Sequence, residues 1–313
     1  MPRRPRPEDT MHPAVIAAVA AARTADRVSP RLAARLALPL FRQAGPALAV
    51  REHDRAVHES ARRSTITVRG RRVAVSEWGT GADVVLLAHG WRGRASQFAP
   101  VVRELRAEGY RLVAFDAPAN GDSGGRRTDI RDWLAAIELL QAQHGRFHTI
   151  IGHSFGALAA LTAVHEGTAT GGVVAIAGVS RAKYLIDAFA ERLELSEAAK
   201  GALRRDFVRG VFPQAAEESV WERFDAAARP LPGDVPLLLV HDAADREVLA
   251  SESHRLHAAH GERSRLVVTR GSGHVRVLGA DPTLDAIDAF VSGGLAGVDE
   301  SGLGHQARAD TPA

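Results

Sequence analysis

The chain has 313 residues, of which 45% are hydrophobic and 25% are charged, and this is the composition of an ordinary globular protein. Its formal net charge of +3 gives no case for nucleic-acid binding, and its lack of cysteine excludes a disulfide, a thiol nucleophile and a cysteine-ligated metal. The length favours one α/β domain of about 230–250 residues with extensions over two equal domains.

The charges are distributed unevenly along the chain. Residues 1–72 contain 15 arginines and six acidic residues, so a basic N-terminal arm precedes a mildly acidic body. We expect this arm to pack on the body, and weak peripheral contact with anionic lipid, or contact with an acidic partner, is the alternative. The apolar stretch Ala14–Ala22 is too short for a transmembrane span, and Glu8 and Asp9 precede it, which argues against a secretory signal. We expect a cytoplasmic protein.

The first 62 residues have the pattern of a helical extension. Residues 1–11 are rich in proline and arginine, and we expect them to be disordered. Helical patterns run from Pro13 to about Arg27, from Pro30 onward, and over residues 47–62. This section is amphipathic, so we expect it to pack onto the body; in the second helix one face carries Leu32, Leu36 and Leu40.

From Ser64 onward the pattern changes to that of strands. Thr65–Val68 and Arg72–Ser76 are predicted to form a hairpin with its turn at Gly70-Arg71. Predicted helices then alternate with apolar strands, and these strands are Asp83–Ala88, Tyr110–Asp116, His148–Ile151, Gly172–Ala177, Pro236–His241 and Arg265–Thr269. Because the strands are apolar on both faces, they predict a parallel sheet covered by helices on both sides.

One segment of about sixty residues interrupts the alternation. Between Gly178 and Pro236 the sequence indicates helices at Ala182–Leu193, Ser196–Phe207 and Gln214–Ala228, and it indicates no strand. An insertion at the carboxyl edge of a parallel sheet lies beside the ligand crevice, so we interpret it as a helical cap.

Gly152-His153-Ser154-Phe155-Gly156 follows a predicted strand and precedes an alanine-rich helix. A Gly-x-Ser-x-Gly sequence arises easily by chance, but between a strand and a helix it is typical of a nucleophile elbow, which exposes a serine at a sharp turn. Its glycines let the two backbones pass closely beside the strained residue. Ser154 is therefore the candidate nucleophile.

A serine nucleophile needs a base and an acid that orients the base. His274 lies in a glycine-rich loop directly after the last predicted strand, where an imidazole can reach the elbow. The acid is expected after a strand between the serine and the histidine, and Asp242 and Asp245 both satisfy this requirement. The end of the preceding strand, Val179-Ser180-Arg181, contains no carboxylate.

Two backbone amides are candidates for stabilising an oxyanion. One belongs to Phe155, which follows the nucleophile at a helix N-terminus, and the other to Trp91, which follows the third strand. We expect the His89 side chain to be buried and to support that loop. Arg92 and Arg94 are interpreted as solvated arginines, with attraction of an anionic substrate as the alternative.

Four motifs occur in the order found in the α/β-hydrolase superfamily, and the chain resembles its capped bacterial serine esterases. The motifs are His89-Gly90-Trp91, Asp116–Ser123, Gly152–Gly156, and Asp245 with Gly273-His274. The resemblance spans about residues 64–292 and implies a mostly parallel eight-stranded sheet with antiparallel first strands and a lid after the sixth. It favours Asp245 over Asp242 as the acid. Many relatives carry a histidine or another residue where this chain has Asn120, and we assign no role to that position.

We therefore predict three segments. Residues 1–62 form a basic helical extension, residues 63–293 an α/β-hydrolase domain with a helical cap at about 179–234, and residues 294–313 a loose tail.

The expected activity is hydrolysis of a carboxylic ester with a small or medium acyl group through Ser154, His274 and Asp245. No metal or organic cofactor is required, and no oligomeric state is indicated. The resemblance implies that relatives that open epoxides or remove halide use an aspartate at the elbow, so Ser154 argues against those reactions. A thioesterase, an acyltransferase or a carbon–carbon bond hydrolase would share the triad. A non-catalytic ligand-binding protein of the same fold is a further alternative.

Overall fold

The structure, a computed structural model, describes residues 13–303. The described chain divides into a smaller unit, residues 13–43 and 182–224, and a larger unit, residues 44–181 and 225–303. The disorder expected for residues 1–11 and the last ten residues of the expected tail lie outside the described residues.

The larger unit is built on one sheet of eight strands. In chain order the strands are β1 (Arg62–Val68), β2 (Arg71–Trp78), β3 (Val84–Ala88), β4 (Arg111–Phe115), β5 (Thr149–His153), β6 (Val173–Ile176), β7 (Leu237–Asp242) and β8 (Ser264–Thr269). Their order across the sheet is β1-β2-β4-β3-β5-β6-β7-β8, and β2 pairs antiparallel with both β1 and β4. The remaining pairs are parallel, as the resemblance implied, and the predicted fold class is confirmed.

Helices cover both faces of this sheet. The helices of the whole described chain are α1 (Pro13–Asp26), α2 (Pro30–Phe41), α3 (Glu52–Glu59), α4 (Ala99–Ala107), α5 (Ile130–His144), α6 (Phe155–His165), α7 (Ala182–Arg192), α8 (Glu197–Val211), α9 (Glu217–Arg223), α10 (Ser251–His260), α11 (Gly273–Arg276) and α12 (Asp281–Glu300). Alternate strand residues such as Leu87 and Val240 pack with α4 and α12 in one core. On the other face α5 packs against α6, which lies along β5.

The hairpin between β1 and β2 turns one residue earlier than the sequence predicted. Its two turn residues are Arg69 and Gly70, and both have positive φ angles, 45° and 77°. Two positive φ angles in succession are typical of the two-residue turn whose twist matches that of the flanking strands. Arg71 therefore belongs to β2 rather than to the turn.

The smaller unit combines the first two helices with the predicted insertion. The segment between β6 and β7 forms α7, α8 and α9, and α2 packs against α1, α7 and α8. Arg23 on α1 donates to the Leu193 carbonyl at 3.0 Å, and Asp26 accepts hydrogen bonds from the amide and hydroxyl of Ser196. α1 and α2 thus form one unit with helices of the insertion. A covering role for the insertion and the boundary at 62 stay predictions.

The packing of α2 differs from the expectation for its leucines. Ala33, Ala34 and Ala37 are the residues that become fully buried, whereas Leu32 and Leu36 stay 46% and 38% exposed. Small side chains let α2 approach α1 and α8 closely, and the alanine face therefore forms the interface. α3 is also shorter than the helix predicted over residues 47–62, because β1 begins at Arg62.

The expectation of a loose tail from residue 294 is wrong for its first residues. α12 continues to Glu300, with a change of direction at Gly294, whose φ is 62°. Val298 beyond that point is fully buried, and Asp299 accepts hydrogen bonds from Arg265 at 2.6 and 2.7 Å. Buried contacts within the larger unit hold this segment as a helix.

Within residues 13–303, the structure contains no helix that combines the length and the apolar character needed to cross a membrane. The cytoplasmic location stays a prediction.

Candidate active site

Ser154 lies at a strained turn between β5 and α6. Its backbone has φ 54° and ψ −118°, a left-handed conformation that costs an L-residue free energy and that surrounding packing must hold in place. A Cβ atom at Gly156 would overlap the carbonyl oxygen of Ala88, and one at Gly152 would overlap the backbone of Ala157. The glycines are therefore required by the close passage of neighbouring backbone, as the elbow pattern predicted.

The structure brings Ser154, His274 and Asp245 into one hydrogen-bonded row. The His274 Nε2 atom lies 3.0 Å from Ser154 Oγ, and its Nδ1 atom lies 2.7 Å from Asp245 Oδ2. An ionised carboxylate only accepts hydrogen bonds, so Nδ1 carries the proton and Nε2 is free to accept from the serine hydroxyl. This is the arrangement in which an imidazole can remove the proton of a serine nucleophile.

Asp245 is buried and held in its ionised form. Burial alone would raise the pKa of this carboxyl, but hydrogen bonds from His241 and His274 and from the Glu247 amide outweigh it and hold the pKa well below its usual range. Its second oxygen, Oδ1, accepts from the amides of Glu247 and Val248 at 2.8 and 3.1 Å. The carboxylate is thus fixed in orientation as well as in charge.

Asp242, the alternative acid, has a different set of contacts. It accepts from Thr269 Oγ1 at 2.9 Å, from the Ser272 amide at 2.8 Å and from the Ala244 amide at 2.9 Å. Burial alone would raise the pKa of Asp242, but the hydrogen bonds from amides, including that of Gly273, outweigh burial. The pKa of Asp242 therefore lies below its usual value. Asp242 therefore anchors the loop that carries His274, and the carboxylate that faces the imidazole is that of Asp245.

His241 is a neighbour of the acid that the sequence analysis did not identify. Its side chain is fully buried, with Nε2 3.0 Å from the Val248 carbonyl oxygen and 3.4 Å from Asp245 Oδ2. Its Nδ1 atom lies 2.6 Å from Ser253 Oγ, so the hydroxyl donates to Nδ1 and the Nε2–H group faces the carbonyl and the carboxylate. The sequence signal was a histidine at the end of β7, directly before the two candidate acids.

We expect His241→Leu to lower kcat about ten-fold with little change in KM, because Asp245 loses a donor that orients it. His241→Gln keeps an N–H group at a similar reach and is expected to recover most of the rate. The measurement is steady-state kinetics of both variants, with unfolding by denaturant to check their stability. Equal losses in both variants at unchanged stability would contradict a role through the N–H group.

His153 is the second histidine that sequence reasoning missed, because it occupies the variable position of the elbow pattern. Its Nε2 atom donates to the backbone carbonyl of His274 at 2.8 Å, and the two ring centres are 4.9 Å apart. Burial, with a smaller contribution from His274, lowers the pKa of His153 to about 3. His153 is therefore neutral near pH 7, and its hydrogen bond holds the backbone of His274, the base.

Of the two predicted oxyanion donors, Phe155 directly follows Ser154 and Trp91 directly follows Gly90. Phe155 is the first residue of α6, and the Gly90 backbone passes so closely that a Cβ there would lie 2.9 Å from the Ser154 Cβ atom. Within the part of the chain that the structure describes, neither the Phe155 amide nor the Trp91 amide has an intramolecular acceptor. Two unused N–H groups at a helix N-terminus and an adjacent loop are suited to a developing negative charge.

An aromatic cluster fixes this loop against the elbow. The rings of Trp91 and Phe155 both pack on Trp133, with ring centres 6.2 and 4.9 Å from it, and Trp133 is fully buried. The Trp133 indole N–H donates to the His89 carbonyl at 2.9 Å. The two donor-bearing residues are therefore held by a common side chain on α5, which sequence patterns did not reveal.

His89 has the supporting position that was expected for it. It is buried, which lowers its pKa, and its Nε2 atom accepts from the Ala117 amide at 2.9 Å. Its Nδ1–H then donates to the Gly90 carbonyl at 2.7 Å. His89 thus joins the loop after β3 to the loop after β4.

Arg94 is neither a solvated arginine nor a group free to attract substrate. Its side chain is buried and donates to the Leu48 carbonyl at 2.6 Å and to Asp122 Oδ1 at 3.0 Å. Both sequence interpretations of Arg94 are wrong, because its guanidinium group is bound to an acceptor and a carboxylate of the larger unit. Arg92 is exposed, as expected.

Between residues 13 and 303, no group of three or more histidine, aspartate or glutamate side chains is arranged to hold a metal ion.

Comparisons with known proteins support the fold and the hydrolase class. The model of the family described as "Alpha/beta hydrolase family" matches residues 85–292. A monoacylglycerol lipase of Mycolicibacterium smegmatis is 32% identical over 88 residues, which are 27% of this chain and 29% of that protein. The chain therefore matches less than a third of the length of this curated relative.

Solved structures resemble the chain over most of its length. An esterase of Pyrococcus furiosus aligns with a TM-score of 0.56 at 22% identity, covering 82% of this chain and 98% of the esterase. A monoacylglycerol lipase of Paleococcus ferrophilus aligns with a TM-score of 0.54 at 19% identity, covering 72% of this chain and 99% of the lipase. At these identities the likeness establishes a common fold.

Proposed function

Because the chain belongs to the α/β-hydrolase family, we propose that it is a serine hydrolase that cleaves a carboxylic ester by an acyl-enzyme mechanism. The observation that carries this proposal is the row from Ser154 Oγ to His274 Nε2 at 3.0 Å and from His274 Nδ1 to Asp245 Oδ2 at 2.7 Å. A serine in this setting has both a base within reach and an acid that orients the base.

In the first half of the reaction Ser154 Oγ attacks the ester carbonyl while His274 Nε2 takes its proton. The carbonyl oxygen becomes negative and accepts hydrogen bonds from the amides of Trp91 and Phe155. The tetrahedral intermediate then breaks its bond to the alcohol oxygen, which leaves with the proton from His274. The product of this half is an acyl group bound to Ser154.

In the second half a water molecule repeats the attack. His274 Nε2 takes a proton from the water, the hydroxide adds to the acyl carbon, and the same two amides stabilise the oxyanion. The bond to Ser154 Oγ breaks, the serine regains its proton from His274, and the acid is released. Asp245 stays ionised and stabilises the imidazolium at each stage.

The same triad could cleave an ester, a thioester or a carbon–carbon bond. The activities of similar proteins favour an ester. The partial relative is a monoacylglycerol lipase and the aligned structures include an esterase, which supports an acyl ester as substrate. A thioester, a carbon–carbon substrate or transfer to another acceptor would use the same residues.

The test is covalent labelling by a fluorophosphonate, followed by hydrolysis of p-nitrophenyl esters of increasing chain length. We expect the wild type to be labelled at Ser154, as identified by peptide mass spectrometry, and to hydrolyse short and medium esters. Ser154→Ala is expected to lose both properties, and Ser219→Ala, a change of an exposed serine on α9, to lose neither.

The outcomes separate the proposed reaction from its alternatives. Labelling at Ser154 with turnover of acyl thioesters and none of oxygen esters would replace the esterase assignment by a thioesterase. A wild-type protein that is neither labelled nor active on any acyl substrate would contradict the serine-hydrolase proposal and favour a ligand-binding protein.

A further inference from the structure

The outer face of α1 is apolar and exposed in the part of the chain that the structure describes. Pro13–Ala22 contains no charged side chain and no side chain able to form a hydrogen bond. Its inward residues, such as Ala22, are buried in the smaller unit, whereas Ile16, Ala17 and Ala20 face outward, with Ile16 46% exposed. A helix in contact with water normally carries polar residues on its outer face, so this face is unusual.

The turn after α1 and the outer face of α2 also carry exposed apolar side chains. Val28 in the turn is 84% exposed, which is the largest exposure of any large apolar residue within the described ranges. On α2 the inward arc is occupied by alanines, and Leu32 and Leu36, one helical turn apart, project outward. We call Ile16, Val28, Leu32 and Leu36 the apolar patch.

A row of arginines borders this patch. Arg27, Arg31 and Arg35 are exposed, and on the outer arc of α2 the last two stand directly beside the leucines. Within residues 13–303, none of the three forms an ion pair. Residues 13–43 hold five arginines and one acidic residue, Asp26, whose carboxylate is already engaged by Ser196.

We propose that the outer faces of α1 and α2 form a docking surface for a bilayer that contains anionic lipid. A helix with an apolar face bordered by arginines lies in the plane of a membrane, with its apolar side chains among the acyl chains and its guanidinium groups at the phosphates. α1 has 14 residues, whereas a spanning helix needs about 20, so contact is made along the surface. The proposal does not depend on the proposed enzymatic reaction.

The charge and size of the patch favour a lipid surface over a second copy of the chain. A stable protein interface buries about 800 Å² on each partner and uses about 20–30 residues a side, and four large apolar side chains fall short of this. Pairing two copies through the patch would also bring arginine rows of the same sign together, which is unfavourable. A bilayer with anionic lipid can bury a small apolar patch among its acyl chains, and its negative headgroups face the arginines.

The experiment is flotation of the full chain with vesicles of phosphatidylcholine alone or with about one third phosphatidylglycerol. We expect the chain to float with the anionic vesicles at low salt, to bind the neutral vesicles far less, and to be released as salt rises. Binding that is equal on both vesicles or unaffected by salt would overturn the proposal.

Two sets of variants test the two halves of the surface. Leu32→Ser with Leu36→Ser is expected to weaken binding at least about ten-fold, because two apolar side chains that would enter the acyl region are lost. Replacement of the three arginines by glutamine should weaken it about a hundred-fold at low salt. The matched controls change exposed residues of the larger unit, and these are Leu139→Ser with Leu249→Ser, and glutamine at Arg106, Arg126 and Arg127.

The control variants are expected to float like the wild type. If they lose binding as much as the patch variants, the attraction is a general property of the surface and the proposal fails. If the leucine variants float unchanged and instead convert a dimer into a monomer in gel filtration, the patch is an interface between two copies and the lipid assignment is overturned. Circular dichroism of each variant shows whether its helices are retained.

Discussion

Asp245→Asn is expected to lower kcat about ten-thousand-fold, while Asp242→Asn lowers it about ten-fold. The Asp245 carboxylate faces His274 Nδ1 at 2.7 Å, and an amide at that place can present its N–H₂ group and favour the wrong tautomer of the imidazole. His274 Nε2 would then carry the proton and could no longer accept from Ser154. Among the described residues, the carboxylate hydrogen-bonded to the imidazole is that of Asp245, and Asp242 acts through the loop that contains Ser272.

The measurement is kcat and KM for both variants on the best p-nitrophenyl ester, with unfolding by denaturant to separate stability from activity. Asp242 accepts hydrogen bonds from three backbone amides and a threonine hydroxyl, so its replacement is expected to lower the stability more than it lowers the rate. If Asp242→Asn instead caused the larger loss of kcat with its stability intact, the acid would have to be reassigned to Asp242.

The parts of the site that the sequence predicted are those fixed by local backbone geometry. A strand, a glycine-flanked serine and a helix define the elbow whatever surrounds them, and His274 lies in the short helix α11, five residues after β8 ends. The strands were predictable for a related reason, since strands buried on both faces are continuous apolar runs. These features are encoded within a few residues of each other.

The missed features depend on residues that are distant in sequence. Nothing around His241 shows that Ser253 on α10 will reach its ring, and nothing around Arg94 shows that Leu48 and Asp122 will surround its charge. The choice between the alanine and leucine faces of α2 likewise depends on how closely α1 and α8 approach. Such contacts are set by tertiary packing, and the hydrophobic pattern of the sequence does not show which residues will meet.

The buried histidine of the elbow makes the folded protein sensitive to moderate acid. The unfolded chain protonates His153 near its ordinary pKa of about 6.5, whereas the folded chain does so only near a pKa of about 3. Between these values the unfolded state binds the extra proton, so stability falls as the pH falls. The contribution is fully retained above about pH 6.5 and is lost at about 1.4 kcal/mol per pH unit below it.

We therefore expect the free energy of unfolding of the wild type to fall from pH 7.5 to pH 4.5 by about 3 kcal/mol more than that of His153→Gln. Glutamine keeps an N–H group for the His274 carbonyl and does not titrate. Burial also lowers the pKa of His89 and His260, but they are present in both proteins and cancel in the difference. Carboxyls with lowered pKa, such as Asp245, lose their contribution only below about pH 4.

The matched control is His254→Gln, which removes an exposed histidine on α10. Its unfolding free energy is expected to follow that of the wild type at both pH values, since the change is confined to an exposed side chain. An equal fall for wild type, His254→Gln and His153→Gln would mean that the folded chain protonates His153 as readily as the unfolded chain does. The ring that donates to the His274 carbonyl would then be charged at pH 4.5, and the role of a neutral donor that we assign to His153 would be wrong.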